Sequence, residues 1–386
     1  MYFLKTLKDE IKSTLKNRDI IILLVGAPIL LTLIFGGVYS NSYVEDIPIA
    51  VLDEDNSSMS RMIIQQFDEN ERFYIQDYAG TREELKRLIE QRKVHMGLYI
   101  PIDFYKDVSS GNSKEILIIV DGTNMIIGNN AYAAAAGIIQ TIAAGTQMKI
   151  ISAKGMMPQV AENMALAFQF NDRTLYDPRM TYMNYLLLGF VAVFLQQIIL
   201  SGLGISVLQD KEHLAQKHTI LGILSKIIAC GSIALLSTSA AVAIAAFVFK
   251  VTIRGSVGFS LLMCALFILA MSGPAIILAT FADSKVKLGQ IAFMLSLPTF
   301  VSCGYVWPID QMPKILVNVI KSLWPLIYFA RPFDEVLLKG LSVNAIKEPL
   351  IQMGIYTVFW LPIAIWILKR KHSALNANIE PSGISS

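Results

Sequence analysis

The chain has 386 residues, 54% of them hydrophobic and 16% charged, with a formal net charge of +3. Soluble domains carry about a quarter charged residues. Here the apolar residues are gathered into long blocks between polar stretches, which points to a multi-span membrane protein. So small a net charge, without a basic stripe on a soluble face, gives nucleic acid no footing as a partner.

Residues 1–19 carry Leu4, Leu7, Ile11 and Leu15 at helical spacing, flanked by Lys5, Lys8, Lys12 and Lys16. This pattern predicts an amphipathic interfacial helix lying flat on the inner leaflet, with the lysines at the headgroups. A merely solvated cytoplasmic helix is the alternative. Residues 20–40 form the first predicted span. Its apolar core is too long for a signal peptide, and no small-residue cleavage site follows.

Residues 41–182 have ordinary polarity and alternate between strand and helix patterns. Strands are predicted at Ile47–Asp53, Arg72–Tyr78, His95–Pro101 and Glu115–Asp121. Helices are predicted at Ser57–Phe67, capped by Ser57 or Ser58, and at Thr81–Lys93, where Thr81 and Glu84 have capping-box spacing. A long helix then runs towards the second span. Together these form a small α/β domain outside the membrane. Within the long helix, Ala131–Ile151 is moderately apolar; it reads as extracytoplasmic, but crossing the membrane would reverse the orientation of everything after it. Asp121–Asn124 (DGTN) is either a ligand loop or a turn before a capped helix. Asp53, Glu54 and Asp55 read as a solvated turn, because their spacing fits no calcium loop.

The second span is predicted at 183–207, a polar cytoplasmic segment at 208–226, and spans three to five within 227–305, at Ile227–Phe249, Phe259–Phe281 and Leu288–Tyr305. A Pro-rich stretch occupies 306–349, the sixth span 350–368 and a tail 369–386. Lysine and arginine cluster in the leader, at Lys211 and Lys217, at Lys285 and Lys287, and at Lys369–Lys371. With an even span count these all face the cytoplasm, and both termini lie inside.

No Asp, Glu, Lys, Arg or His falls inside the six spans as bounded, which argues against an ion-driven carrier or a channel lined by charged rings. The polar residues Gln196 and Gln197 in span two and Ser296 and Thr299 in span five either line a substrate path or hydrogen-bond between helices. His95, His213, His218 and His372 are scattered without metal-ligand spacing, and no nucleophile elbow or phosphate loop is present. Cys230, Cys264 and Cys303 read as packing residues rather than a disulfide framework.

WPIDQMP and NVIKSLWPLIYFARPFDEVLLKG, between spans five and six, are apolar yet repeatedly broken by proline, which a helix interior tolerates badly. With the basic leader, the single span, the outer α/β domain and the five further spans, this layout resembles the type-2 permeases of ATP-binding-cassette exporters that carry a large extracytoplasmic domain. The resemblance covers nearly the whole chain. It implies a membrane α-helical fold of six transmembrane helices with an inserted α/β domain and a re-entrant helix pair before the last span. Trp307, Pro308, Pro313, Trp324, Pro325, Tyr328 and Arg331 would form an outer gate. Lys211, Glu212, His213, Gln216, Lys217 and His218 would form the helix that touches a cytoplasmic P-loop ATPase. ATP and magnesium would bind that partner, leaving no cofactor in this chain.

The resemblance further implies pairing with a second permease, identical or not, in a bacterial inner or cytoplasmic membrane. A periplasmic adaptor on the outer domain is a further expectation. The substrate would be a lipophilic or amphipathic drug or lipid. The family's Glu-Gly-Thr-like run is incomplete here, since Glu212 is followed by His213 and Leu214. A rival reading is a membrane-anchored receptor or interaction protein acting through its outer domain. A membrane-embedded enzyme would need a catalytic cluster, and none is visible.

Overall fold

The computed structural model describes residues 2–41, 44–153, 173–177, 181–216 and 219–377. The chain divides into two compact units, Tyr43–Thr174, and Met1–Ser42 with Leu175–Ser386.

The Tyr43–Thr174 unit is built on a four-stranded sheet. Strands β1 (Ile47–Asp53), β2 (Phe73–Tyr78), β3 (Met96–Ile100) and β4 (Leu117–Val120) lie in the order β2-β1-β3-β4. β1 pairs in parallel with β2 and β3, and β4 is antiparallel to β3. Parallel pairs need crossovers, which helices Ser58–Asp68 and Arg82–Glu90 supply. β1 is covered on both faces: Ile47, Ile49 and Val51 pack with Ile63, Phe67 and Ala131, while Ala50 and Leu52 pack with Leu85 and Leu88. A strand sandwiched in this way reads as a continuous apolar run.

Local signals set the helix starts. Ser57 caps the first crossover helix in a reciprocal box with Ser60. Thr81 caps the second by accepting from the Glu84 N–H at 3.1 Å. The Glu84 carboxylate passes over Thr81 and accepts from the Gly80 N–H at 2.7 Å, so the predicted box closes one residue early. In DGTN, Asp121 Oδ1 accepts from the Thr123 N–H and hydroxyl at 2.9 and 2.7 Å, and Asn124 Oδ1 accepts from the Ile126 N–H at 3.0 Å. These bonds make it a turn followed by a helix start. Helix Met125–Ala153 contains the ambiguous alanine-rich stretch and buries Ala131 and Ala135 against the sheet.

In the other unit, five described helices are long and apolar enough to cross a membrane: Arg18–Val38, Tyr182–Gln209, Thr219–Phe247, Val257–Phe281 and Val343–Lys371. The predicted fifth span is an 18-residue helix, Lys285–Ser302, whose first turn carries Lys285 and Lys287. Its apolar length is correspondingly short, and it falls outside that set. The third-span helix begins at Thr219 rather than at 227, because nothing in TILGILSK breaks a helix. Lys226 therefore lies inside it and is buried, which corrects the expectation of spans free of ionisable side chains.

The first- and second-span helices each contain a π-turn, Ile22–Gly26 and Ile199–Leu203, and the two turns pack together. Such bulges recur at functional sites.

Candidate gate and coupling surface

After Ser302 the chain leaves its helix through Gly304, at φ +85°. It then makes a short turn at Ile309–Gln311, helix Lys314–Leu323, a second turn at Pro325–Tyr328 and helix Ala330–Lys339. Each proline sits where a helix begins. Pro308 and Pro313 immediately precede elements, Pro325 opens one, and Pro332 lies in the first turn of the last. Proline has no N–H to lose at those positions.

Broken backbone in an apolar setting must find partners for its free carbonyls. Helix Lys314–Leu323 ends with three carbonyls that each accept a side-chain donor. Tyr328 hydroxyl donates to Lys321 O at 3.0 Å, Trp360 Nε1 to Ser322 O at 2.9 Å and Tyr356 hydroxyl to Leu323 O at 2.8 Å. At the end of helix Ala330–Lys339, Leu337 O accepts from the N–H groups of Arg254 and Gly255 at 2.8 and 3.1 Å.

The four polar span residues and Trp324 form two adjacent hydrogen-bonded chains, linked where the Thr299 hydroxyl donates to Ser296 O at 3.0 Å. Trp324 Nε1 donates to Gln196 Oε1 at 2.7 Å, and Gln196 Nε2 donates to Thr299 Oγ1 at 3.0 Å. The Ser296 hydroxyl donates to Gln197 Oε1, and Gln197 Nε2 donates to Ser201 at 3.2 Å. Gln196 is fully buried, so this network satisfies polar groups in an apolar interior. Nearer the start of the second-span helix, Tyr185 stacks on Tyr305 and donates to Tyr305 O at 3.1 Å. Trp307 is exposed, and Arg331 pairs with Glu335 at 3.3 Å.

The opposite end of the bundle is held by charge. Lys226 Nζ contacts Glu10 Oε1 at 2.7 Å and Asp210 Oδ2 at 2.6 Å, with Ser206 Oγ at 3.2 Å. This cluster ties the leader helix Tyr2–Lys16, the end of the second-span helix and the third-span helix together, and Lys226 is nearly inaccessible. A buried cation requires such pairing. Around it, Asn17 Nδ2 donates to Gln209 Oε1 at 3.0 Å and Lys285 pairs with Asp19 at 2.9 Å. Lys287 holds the Asp283 carboxyl below the usual range by a hydrogen bond. On the leader, Leu7 and Ile11 are half-buried, while Leu4, Lys5, Lys8 and Lys12 are exposed.

The predicted coupling segment is a short helix, Lys211–Gln216. Lys211 Nζ donates to Ala282 O at 3.1 Å, and Glu212 is exposed. His213 and Gln216 belong to this helix, but their side chains, with residues Lys217 and His218, lie outside the described residues. The sequence reading missed Glu10, Ser206 and Asp210 as partners of Lys226. A lone lysine two turns into an unbroken helical run was the available signal, hidden because the span was started one residue after it.

A family model described as ABC-2 family transporter protein matches residues 18–366. The chain is similar to the probable multidrug ABC transporter permease YbhR of Escherichia coli (strain K12), 20% identical over 95% of this chain and 97% of YbhR. It is also similar to the inner membrane transport permease YhhJ of Escherichia coli (strain K12), at 23% identity over 76% of this chain and 77% of YhhJ. A third relative, the probable multidrug ABC transporter permease YbhS of the same strain, is 21% identical over 68% of this chain and 69% of YbhS.

Proposed function

The chain belongs to the ABC-2 family of transporter proteins, and on that premise we propose that it is the membrane-spanning subunit of an ATP-driven exporter for lipophilic or amphipathic substrates. It is a multi-pass permease, not an enzyme, and ATP hydrolysis lies in a separate subunit. In this reading a cytoplasmic P-loop ATPase, which holds the ATP and magnesium, docks on the Lys211–His218 segment, with both termini on that side. Two permeases, alike or different, form the transport unit. An adaptor would dock on the Tyr43–Thr174 unit.

One observation carries the reading. The second-span helix, Tyr182–Gln209, is bonded at both its functional levels. Ser206 and the adjoining Asp210 hold Lys226 beside the coupling helix, while Gln196 holds Trp324 of the proline-broken segment. A push on Lys211–Gln216 is thereby transmitted through one rigid helix to the Pro-broken segment, which acts as an outer gate. The apolar span walls favour substrates without an uncompensated charge, because desolvating one is costly.

The test is purification of the tagged chain from its own membranes in mild detergent, with mass spectrometry of what accompanies it. A P-loop ATPase in near-equal amount, lost in a Lys211→Glu, Glu212→Lys variant, is the expected result. A chain that emerges without an ATPase, under conditions that preserve other transporters of this class, would shift the function to the outer domain as a receptor.

A further inference from the structure

At the end of the bundle away from the leader helix, the ends of the first three spans enclose a cavity of about 500 Å3. Its lining includes Met183 and Phe249 on the apolar side and Asp177, Thr181, Lys250 and Arg254 on the polar side. The Phe249 ring lies against the first span at Gly36, where a Cβ would come within 2.1 Å of it. Asp177 Oδ2 accepts from the Thr181 N–H and hydroxyl at 2.7 and 2.9 Å, which holds its charge at the start of the second-span helix. Arg254 Nη1 donates to Leu338 O at 3.1 Å, and the rest of its fork has no hydrogen-bond partner among the described residues.

Lys250 is different. It closes the third-span helix in the left-handed region, at φ +56°, with the Val251 N–H reaching back to Ala245 O at 3.0 Å. That is the helix-ending geometry in which glycine is the favoured residue, because a β-carbon is strained there. Lys250 has no hydrogen-bond or ion-pair partner among the described residues. Lys250 is thus an exposed lysine at a backbone position that favours glycine, and it lines the cavity, where its ammonium is free to meet a ligand. Three and two residues before it, Phe247 and Val248 are 85% and 58% exposed, at the end of a helix long and apolar enough to cross a membrane.

We propose that this cavity is a headgroup site for an anionic phospholipid. The phosphate sits between the Lys250 ammonium and the Arg254 guanidinium, and the acyl chains run along Phe247 and Val248. A phosphate suits a guanidinium fork and an ammonium point charge together. Among the described lining residues, two cations stand against one carboxylate whose oxygen already accepts two hydrogen bonds, which favours an anionic headgroup over a zwitterionic one. The inference rests on the chain spanning a membrane, not on its being an exporter, so it stands or falls apart from the ATPase experiment.

The test uses the full chain in phosphatidylcholine nanodiscs doped with phosphatidylglycerol. Lipid retained per chain is read by native mass spectrometry, and the thermal midpoint is read in parallel. The wild type should retain phosphatidylglycerol preferentially. Lys250→Gly should cut that preference about five-fold while leaving the midpoint in pure phosphatidylcholine unchanged or higher, and Lys250→Arg should keep the preference. Three results overturn the proposal. Lys250→Gly could retain the wild-type preference. It could lower the midpoint in pure phosphatidylcholine, which makes the lysine a helix-end residue only. Inorganic phosphate could displace the lipid at matching concentration, which makes the cavity a site for free anions.

Discussion

Trp324 and Gln196 are 128 residues apart in sequence, yet the indole N–H of the first meets the side-chain oxygen of the second at 2.7 Å. The bond fastens the proline-broken segment to the middle of the second-span helix. Gln196→Leu strands the indole N–H in a buried setting, and interhelical bonds of this kind contribute about 0.6–2 kcal/mol. The expected result is a lower thermal midpoint. In a double-mutant cycle with Trp324→Phe, the second substitution should add little to the first.

Lys226 is the charge on which three elements converge. Lys226→Met leaves Glu10 partly buried without its cation, a loss of about 3 kcal/mol, read as a drop in the thermal midpoint. Pairing it with Glu10→Gln should recover part of that loss, since the stranded carboxylate is then neutral. Full stability of Lys226→Met alone would show that the cluster is solvated and idle.

The three carbonyls at the end of helix Lys314–Leu323 predict a graded response. Trp360→Phe and Tyr356→Phe each remove one donor and leave one carbonyl unpaired, at about 1 kcal/mol apiece. Because the bonds share one helix end, the two losses should couple rather than simply add. The check is unfolding followed by intrinsic fluorescence.

In the Tyr43–Thr174 unit, two hydrogen bonds from Thr123 hold the Asp121 carboxyl below its usual value of 3.8. A carboxyl depressed on folding adds stability that is present above its unfolded pKa and is lost as pH falls through the folded one. The unit should therefore lose stability below about pH 4, and Asp121→Asn should flatten that part of the profile. Thermal midpoints between neutral and acid pH measure it, with Thr123→Val expected to act in the same direction.

Much of this architecture is legible in the sequence, for identifiable reasons. The strands of the Tyr43–Thr174 unit fall within two residues of their predicted positions, because each is a short run bounded by turn residues. The first, second and fourth spans are legible from apolar length alone. The boundary at Lys226 was not, because a hydropathy reading ends a span at a charge, whereas the fold keeps the charge and buries it with Glu10 and Asp210. Those partners lie 216 and 16 residues away, a separation that no local pattern carries. The polar quartet in spans two and five is legible as residue types but not as a network, since Trp324, which bonds Gln196, lies 128 residues away. Lys250 is not legible in the sequence, because its signal is a backbone angle.

The donors that finish helix Lys314–Leu323 come from two places: Tyr328 from its own segment, Tyr356 and Trp360 from the final span. Separating that helix from the final span would leave two of its last carbonyls bare in a medium that offers no replacement. Helix and final span are therefore joined as one body, and the chain leading into them turns at Gly304 through a left-handed backbone.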